Sequence, residues 1–483
     1  MVAILNYTKL NARQIVDGIT KGDFTSFEVA KALIEQAKAW EAINSLVNFD
    51  ADRFLSLAEE ADQTQKEGGA IGKLHGLPLL VKDNIDVLNF PTTAATPALG
   101  NYVPNKQGPV INTLLNAGAI VMTKTNMHEL AFSPGITEPP DGSEIRWGAQ
   151  GAAKNPHNLE YSPSGSSSGT GAAISAGISP AGLGSDTGGS VRNPAAWCGI
   201  TGLRPSTKRY SQVGVVPLSW TRDTIGPMAR SVGDLALLDS VITGEGSIHA
   251  AEIGELRLGI DRDFFCTDCD PDVLNIFETE VERLSDAGAE IVDVTIQNLE
   301  KNINQIGQTL TMYEVVRGLA EYLKTSGSGV RFEDLIAQVT ASGMGERLKQ
   351  LMEGEAVSED VYTHAITTIR PAIQQSYANV FSENNIQALL FPATLLQPNK
   401  ISELGTSTIR GKKTSYLLAS SHNVQPASIG GSPGLTVAAS LTGSGLPAAI
   451  GFDGPIGSDR DLLAIGMAYE KIRPIMPSPV LAV

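Results

Sequence analysis

Ser164-Gly165-Ser166-Ser167-Ser168-Gly169 and, after a run of small residues, Gly184-Ser185-Asp186-Thr187-Gly188-Gly189-Ser190-Val191-Arg192 place two serine-bearing glycine turns close together in the chain. Glycines ahead of Ser190 permit backbone conformations that aim successive N–H groups at one point, which is what stabilising an oxyanion requires. A nucleophile and its oxyanion donors can therefore share one loop. Residues 164–202 are dominated by Gly, Ser, Ala and Thr, but Asp186, Arg192 and Pro194 interrupt them specifically, so low complexity explains the segment poorly. The pattern predicts tight turns and close-packed small-residue helices.

A serine hydroxyl is a weak nucleophile until a base takes its proton, and the usual base is a histidine held by a carboxylate. None of the six histidines, His75, His128, His157, His249, His364 and His422, lies in the glycine block, and each reads as structural or solvated. Lysine can replace histidine where burial leaves some neutral amine. Upstream, His75-Gly-Leu-Pro-Leu-Leu-Val81 reads as a turn feeding a buried strand that delivers Lys82 at its end. A lysine at a strand end is otherwise most often a solvated surface charge.

Around this centre the chain alternates strand and helix patterns. Thr25 and Glu28 form a capping-box pattern ahead of Val29, Leu33, Ile34, Ala37 and Trp40 at helical spacing, and a second helix is predicted from Asp52 to Asp62. Val110, Ile111, Leu114 and Leu115, a Gly118 stop and Ala119-Ile-Val-Met122 read as helix then strand. Residues 133–161 carry several prolines and glycines and predict a long surface loop or lid, with Trp147 inside it. From Pro271 to Asn385 the pattern is mostly amphipathic helix, including a long segment from Ser358 to about Phe381, before Ala388-Leu-Leu-Phe391 returns to a strand. No internal repeat or clear linker is visible. A single domain over residues 1–483 is expected, with N-terminal helices (1–70), a core (71–245), a helical cap (271–385) and a return to the sheet (386–483).

The 483 residues are 42% hydrophobic and carry 36 basic against 52 acidic side chains, a formal charge of −16. A net negative surface argues against nonspecific binding of nucleic acid or anionic lipid. The start MVAILNYTKL lacks the features of a signal peptide, and nowhere do roughly 18 apolar residues run together, so a cytoplasmic, unanchored protein is the default. Three cysteines, Cys198, Cys266 and Cys269, do not suit a disulfide framework. Cys266 and Cys269 have C-x-x-C spacing with no second pair to complete a zinc site, so no metal is expected.

Taken together, His75-Gly-Leu-Pro-Leu-Leu-Val-Lys82-Asp-Asn84, the serine block and Gly184-Ser-Asp-Thr-Gly-Gly-Ser190-Val-Arg-Asn-Pro-Ala195 resemble the amidase signature family. The segments Thr123–Ala131, Gly202-Leu-Arg-Pro205, Asp223–Leu235 and Gly451–Asp459 look like further family segments, so the resemblance covers most of the chain. It implies an α/β fold with a central mixed β-sheet flanked by helices on both sides, and hydrolysis of a small carboxamide, with or without an aryl substituent, without cofactor. It also implies Ser190 as acyl nucleophile, Ser166 as bridging serine after a cis Gly165–Ser166 peptide, and Lys82 as base. The N–H groups of Thr187, Gly188, Gly189 and Ser190 are the implied oxyanion hole, while Ser167, Asp186 and Arg192 look structural.

Ser164 and Ser168 stand where the family usually has glycine, and the 133–161 loop looks longer than typical, which ties substrate preference to that loop. Phe132 and Trp147 are candidate pocket residues, and Trp197 is a further aromatic that could suit an aromatic substrate. Several readings compete. The same nucleophile could cleave anilide, urethane or ester bonds. An amidotransferase A-type subunit acting for glutaminyl-tRNA would use the same triad with partner subunits, but the segments around Ser190, Arg222 and Phe452 look closer to indoleacetamide and mandelamide hydrolases. Gly165-Ser-Ser167-Ser-Gly169 also satisfies G-x-S-x-G, which would make Ser167 an α/β-hydrolase nucleophile, although Tyr161-Ser-Pro-Ser164 does not read as the buried strand such an elbow needs. The expected partner is a small-molecule amide, with no nucleic acid and no membrane, and assembly as a homo-oligomer is left open.

Overall fold

The computed structural model describes residues 6–132, 148–353, 357–403 and 405–480. Thirteen strands are present among these residues: β1 (Leu46–Val47), β2 (Pro78–Lys82), β3 (Ile120–Thr125), β4 (Ala181–Asp186), β5 (Thr201–Arg204), β6 (Thr224–Ala229), β7 (Arg257–Ile260), β8 (Glu290–Asp293), β9 (Ala388–Pro392), β10 (Thr406–Ile409), β11 (Lys412–Ser415), β12 (Gly434–Leu441) and β13 (Pro447–Asp453). β10 and β11 form a separate hairpin. The other eleven form one sheet in the order β1-β3-β2-β4-β6-β5-β12-β13-β9-β7-β8.

The sheet is mixed. β3, β2 and β4 are parallel on one wing and β9, β7 and β8 on the other, while β4 through β6, β5, β12, β13 and β9 pair antiparallel. Every residue of β2, β3, β4, β6, β9 and β13 is buried, and because side chains alternate across a strand, both faces of the sheet must be covered by helices. This is the α/β architecture, a large mixed sheet flanked by helices, that the resemblance to the amidase signature family implies.

Local signals place most elements near where they are observed. Thr25 accepts from the Glu28 N–H while Glu28 reaches back to Thr25, opening the helix Ser26–Ala39, and the second helix runs Ala51–Lys66. Gly118, at φ +92°, separates the helix Pro109–Asn116 from β3. Ser358 onward is helical through Glu359–His364, a π turn at Ala365–Ile369 and Arg370–Asn384.

Two expectations need correction. Residues 164–202 hold the helices Ser168–Ser175 and Arg192–Cys198, but between them Ala181-Gly-Leu-Gly-Ser-Asp186 is β4, an interior strand rather than a turn. Its glycines hide it, since glycine weakens a strand signal. A Cβ at Gly182 would sit 2.9 Å from the Leu80 carbonyl oxygen, and one at Gly184 would sit 2.7 Å from Ser167 Oγ, so the glycines let neighbouring chain pack hard against the strand. The 271–385 region is mostly helical but also contributes β8, at the sheet edge.

Leu80 is fully buried in β2, two residues before Lys82. Leu80→Ala is expected to lower unfolding stability by roughly 2–5 kcal/mol through lost burial and a residual cavity, read from the midpoint of denaturant unfolding.

Candidate active site

β2 delivers Lys82 into the protein interior, where the residue is 0% exposed. Its Nζ lies 2.7 Å from Ser166 Oγ, 2.9 Å from Ser185 Oγ and 3.4 Å from the Ser185 carbonyl oxygen. Asn84 Nδ2 donates to Ser185 Oγ at 3.1 Å. Burial lowers the Lys82 pKa from the usual lysine range to about 7, against the opposing pull of Asp186 and Asp223. A substantial fraction of the amine is therefore neutral near neutral pH.

The bond joining Gly165 to Ser166 is a cis peptide. Ser166 and Ser190 both line a chamber of about 90 Å³, together with Thr187, Gly188, His128 and Phe132. The two serine turns are tied together by the Ser167 N–H, which donates to the Ser190 carbonyl at 3.2 Å. Ser190 itself is half-buried, open to the chamber.

Asp186 ends β4 and organises the loop that follows. It accepts from the N–H groups of Gly189 (2.9 Å), Val191 (3.1 Å) and Arg192 (3.4 Å), and from the side chains of Arg192 and Arg204. Burial opposes ionisation of its carboxyl, but the two guanidinium groups and the N–H donors outweigh that and hold its pKa far below the usual carboxylate range. Arg192 also donates to Ser428 Oγ at 2.6 Å and lies 3.9 Å from Asp453.

The bonding pattern corrects one expected oxyanion donor. The Gly189 N–H is committed to Asp186, whereas the N–H groups of Thr187, Gly188 and Ser190 have no acceptor among the described residues. The loop can therefore present three donors, and a preorganised donor set of this kind stabilises charge developing on a carbonyl oxygen. Thr187 Oγ1 donates to Asp223 Oδ1 at 2.5 Å, fixing the first residue of the set.

Ser167 is fully buried, its Oγ lies 3.3 Å from both the N–H and the carbonyl oxygen of Ser185, and it does not line the chamber, which argues against the elbow-nucleophile reading. Phe132 is at the chamber wall as expected, and Trp147 lies outside the described residues. Trp197 is a core residue, 0% exposed, with its ring N–H donating to the Leu396 carbonyl.

Sequence reasoning overlooked several members. His128 stands in the chamber wall with its pKa pushed down to about 3 by burial and by the nearby Lys82 cation, so it is a neutral ring at working pH. Ser185 and Asn84, which orient Lys82, were adjacent to recognised residues and could have been found from them. Gln425 could not, because it arrives from a distant segment, and Arg222, whose segment the sequence singled out, shows its role only through its bonds: Gln425 Nε2 donates to the Gly188 carbonyl at 3.0 Å, and Arg222 Nη2 donates to Gln425 Oε1 at 2.7 Å.

Comparison with known proteins sets the chain among amide hydrolases. An indoleacetamide hydrolase of Agrobacterium vitis is 35% identical over 459 residues, covering 95% of this chain and 96% of that protein. A mandelamide hydrolase of Pseudomonas putida is 35% identical, covering 94% of this chain and 90% of that one. The crystal structure of the peptide amidase from Stenotrophomonas maltophilia superposes with a TM-score of 0.82 at 27% identity, over 98% of this chain and 99% of that chain. The amidase family model matches residues 28–463, and the chain, an amide hydrolase, belongs to the amidase family.

Proposed function

We propose that the protein hydrolyses small aryl-substituted primary carboxamides to carboxylate and ammonia, with Ser190 as nucleophile, Ser166 as proton bridge and Lys82 as base. The observation that carries the catalytic part is the 2.7 Å approach of a fully buried Lys82 Nζ to Ser166 Oγ. A neutral amine donating its N–H groups to the Ser185 hydroxyl and carbonyl directs its lone pair at Ser166.

Ser190 Oγ attacks the amide carbon while its proton passes to Ser166, whose own proton passes to Lys82. The carbonyl π pair moves onto oxygen, where the Thr187, Gly188 and Ser190 N–H groups stabilise the new charge. Collapse of the tetrahedral adduct breaks the C–N bond, and the proton returns from Lys82 through Ser166 to the departing nitrogen. Water then adds to the ester by the same relay, releasing the acid and restoring Ser190.

Two features support an aryl acyl group. Relatives at 35% identity are hydrolases of indoleacetamide and mandelamide, whose substrates bear aryl groups next to the amide. The chamber shares Gln308, Leu418 and Gln425 with a neighbouring cavity of about 300 Å³ lined by Phe264, Ile303, Ile409 and Ile429 as well as by the charged Glu300, Arg410 and Lys412, so an acyl group larger than the catalytic chamber has partly apolar space beside it.

Ammonia release from phenylacetamide, indole-3-acetamide and mandelamide is expected to exceed that from acetamide in kcat/KM, and Ser190→Ala is expected to abolish it. Cleavage confined to anilides or esters would overturn the substrate assignment while leaving the nucleophile in place.

The pH dependence separates Lys82 from the other buried group of similar pKa. Because the base works as neutral amine, kcat/KM is expected to rise with pH along a limb centred near the Lys82 pKa of about 7. Burial also pushes the Asp453 carboxyl up to about 7, against the pull of Arg192. Asp453→Asn is expected to retain the limb, and its disappearance in that variant, or a flat profile from pH 5 to 9 in the wild type, would remove Lys82 from the role of base.

A further inference from the structure

The Gly188–Gly189 peptide is gripped on both edges. Its N–H donates to Asp186 Oδ1 at 2.9 Å and its carbonyl accepts from Gln425 Nε2 at 3.0 Å. The grip is part of a closed ring of bonds: Arg222 Nη2 donates to Gln425 Oε1 (2.7 Å), Arg204 Nη2 donates to the Arg222 carbonyl (2.7 Å), and Arg204 Nη1 donates to the Asp186 carboxylate (3.0 Å). Arg222 is further held by its Nη1 bond to Thr311 Oγ1 at 3.1 Å. The Arg222 guanidinium cannot act as acceptor, so it fixes which end of the Gln425 amide is oxygen and turns the NH₂ toward Gly188.

This matters because of what the peptide would otherwise do. It joins two glycines, with Gly189 at φ +105°, so no side chain restrains its rotation. The N–H and carbonyl of a trans peptide point opposite ways, so a flipped peptide would aim the Gly188 carbonyl at the Asp186 carboxylate and break the bond that holds residues 187–190 on their path beside the chamber. A Cβ on Gly188 would lie 3.0 Å from Gln425 Nε2 and 3.1 Å from Arg222 Nη2, so the absence of a side chain is also what admits the clamp.

We propose that Gln425 is a positioning residue for the oxyanion site: its amide, oriented by Arg222, locks the Gly188–Gly189 peptide and with it the path of the loop that offers the Thr187, Gly188 and Ser190 N–H groups to the chamber. The inference rests on Ser190 being the nucleophile. Gln425→Glu keeps the acceptor for Arg222 but removes the donor to Gly188, and Gln425→Met removes both.

The test compares a tetrahedral mimic with ground-state ligands. Addition of Ser190 Oγ to benzylboronic acid, with the serine proton passing to the Ser166–Lys82 pair, forms a tetrahedral boronate anion that requires the oxyanion site. Phenylacetate, the product, does not. Both variants are expected to lose ~10–100-fold in kcat on phenylacetamide, somewhat less than or equal to removal of a whole oxyanion donor, with KM within about threefold. The boronate inhibition constant is expected to rise by the same factor as kcat falls, with phenylacetate inhibition by Gln425→Met unchanged.

Activity and boronate affinity within twofold of wild type would overturn the proposal, as would parallel losses in boronate, phenylacetate and KM, which would make Gln425 an ordinary substrate contact. If thermal unfolding shows that both variants are unfolded, Thr311→Val, which frees Arg222 on one side, decides: a selective twofold to fivefold boronate loss supports the clamp and none overturns it. Wild-type inhibition by the boronate that survives in a Ser190→Ala titration would instead overturn the nucleophile assignment, a separate outcome.

Discussion

A single buried carboxylate, Asp186, holds the reactive loop in shape. It sits at the end of β4, fully excluded from solvent, and its ionised form is sustained by two arginines and three backbone N–H groups. A buried charge is unfavourable unless its lone pairs are satisfied, and removing one partner from such a cluster is far more disruptive than the net stability of the pair suggests. The same bonds that neutralise Asp186 therefore dictate the path of residues 187–192. The loop has little freedom because each deviation would strand a charge.

The arrangement divides electrostatic labour between two depths of the site. Around Asp186 full charges are kept in place by compensation. At Lys82 the opposite holds: Asp186 and Asp223 attract the ammonium, but desolvation prevails, and the amine is poised to accept a proton. Ser185 and Asn84 aim it, and Ser166 connects it to the chamber in which Ser190 is exposed. A base kept out of contact with solvent, reached only through a hydroxyl, transfers its proton along one route.

The roof of the site comes from elsewhere in the chain. The helix Thr309–Ser326 supplies Thr311 to Arg222 and also Glu314, whose carboxylate accepts from Ser219 Oγ, from Thr221 and from the Tyr362 hydroxyl. These bonds seat the helical region against the segment that carries Arg222 and Asp223. Residues more than a hundred positions from Ser190 thereby set how its neighbouring peptide is oriented.

The buried strand ending in Lys82 was readable because four apolar residues and an abrupt polar switch are local information, and the capping box at Thr25 and Glu28 likewise concerns residues three apart. The serine turns announced themselves by composition and spacing. β4 was missed because its glycines, required where Leu80 and Ser167 pack against it, erase the side-chain alternation by which a strand is recognised. The sequence by itself thus determined the alternating α/β character, the loop able to carry a nucleophile and the residue types at its centre, since each depends on backbone propensity and short-range pattern. Only the tertiary structure decided that Lys82 is a dry, partly neutral base, that Gly189 donates inward to Asp186, and that Arg222 and Gln425 close the ring, because burial and hydrogen bonding between remote segments exist only once the chain is packed.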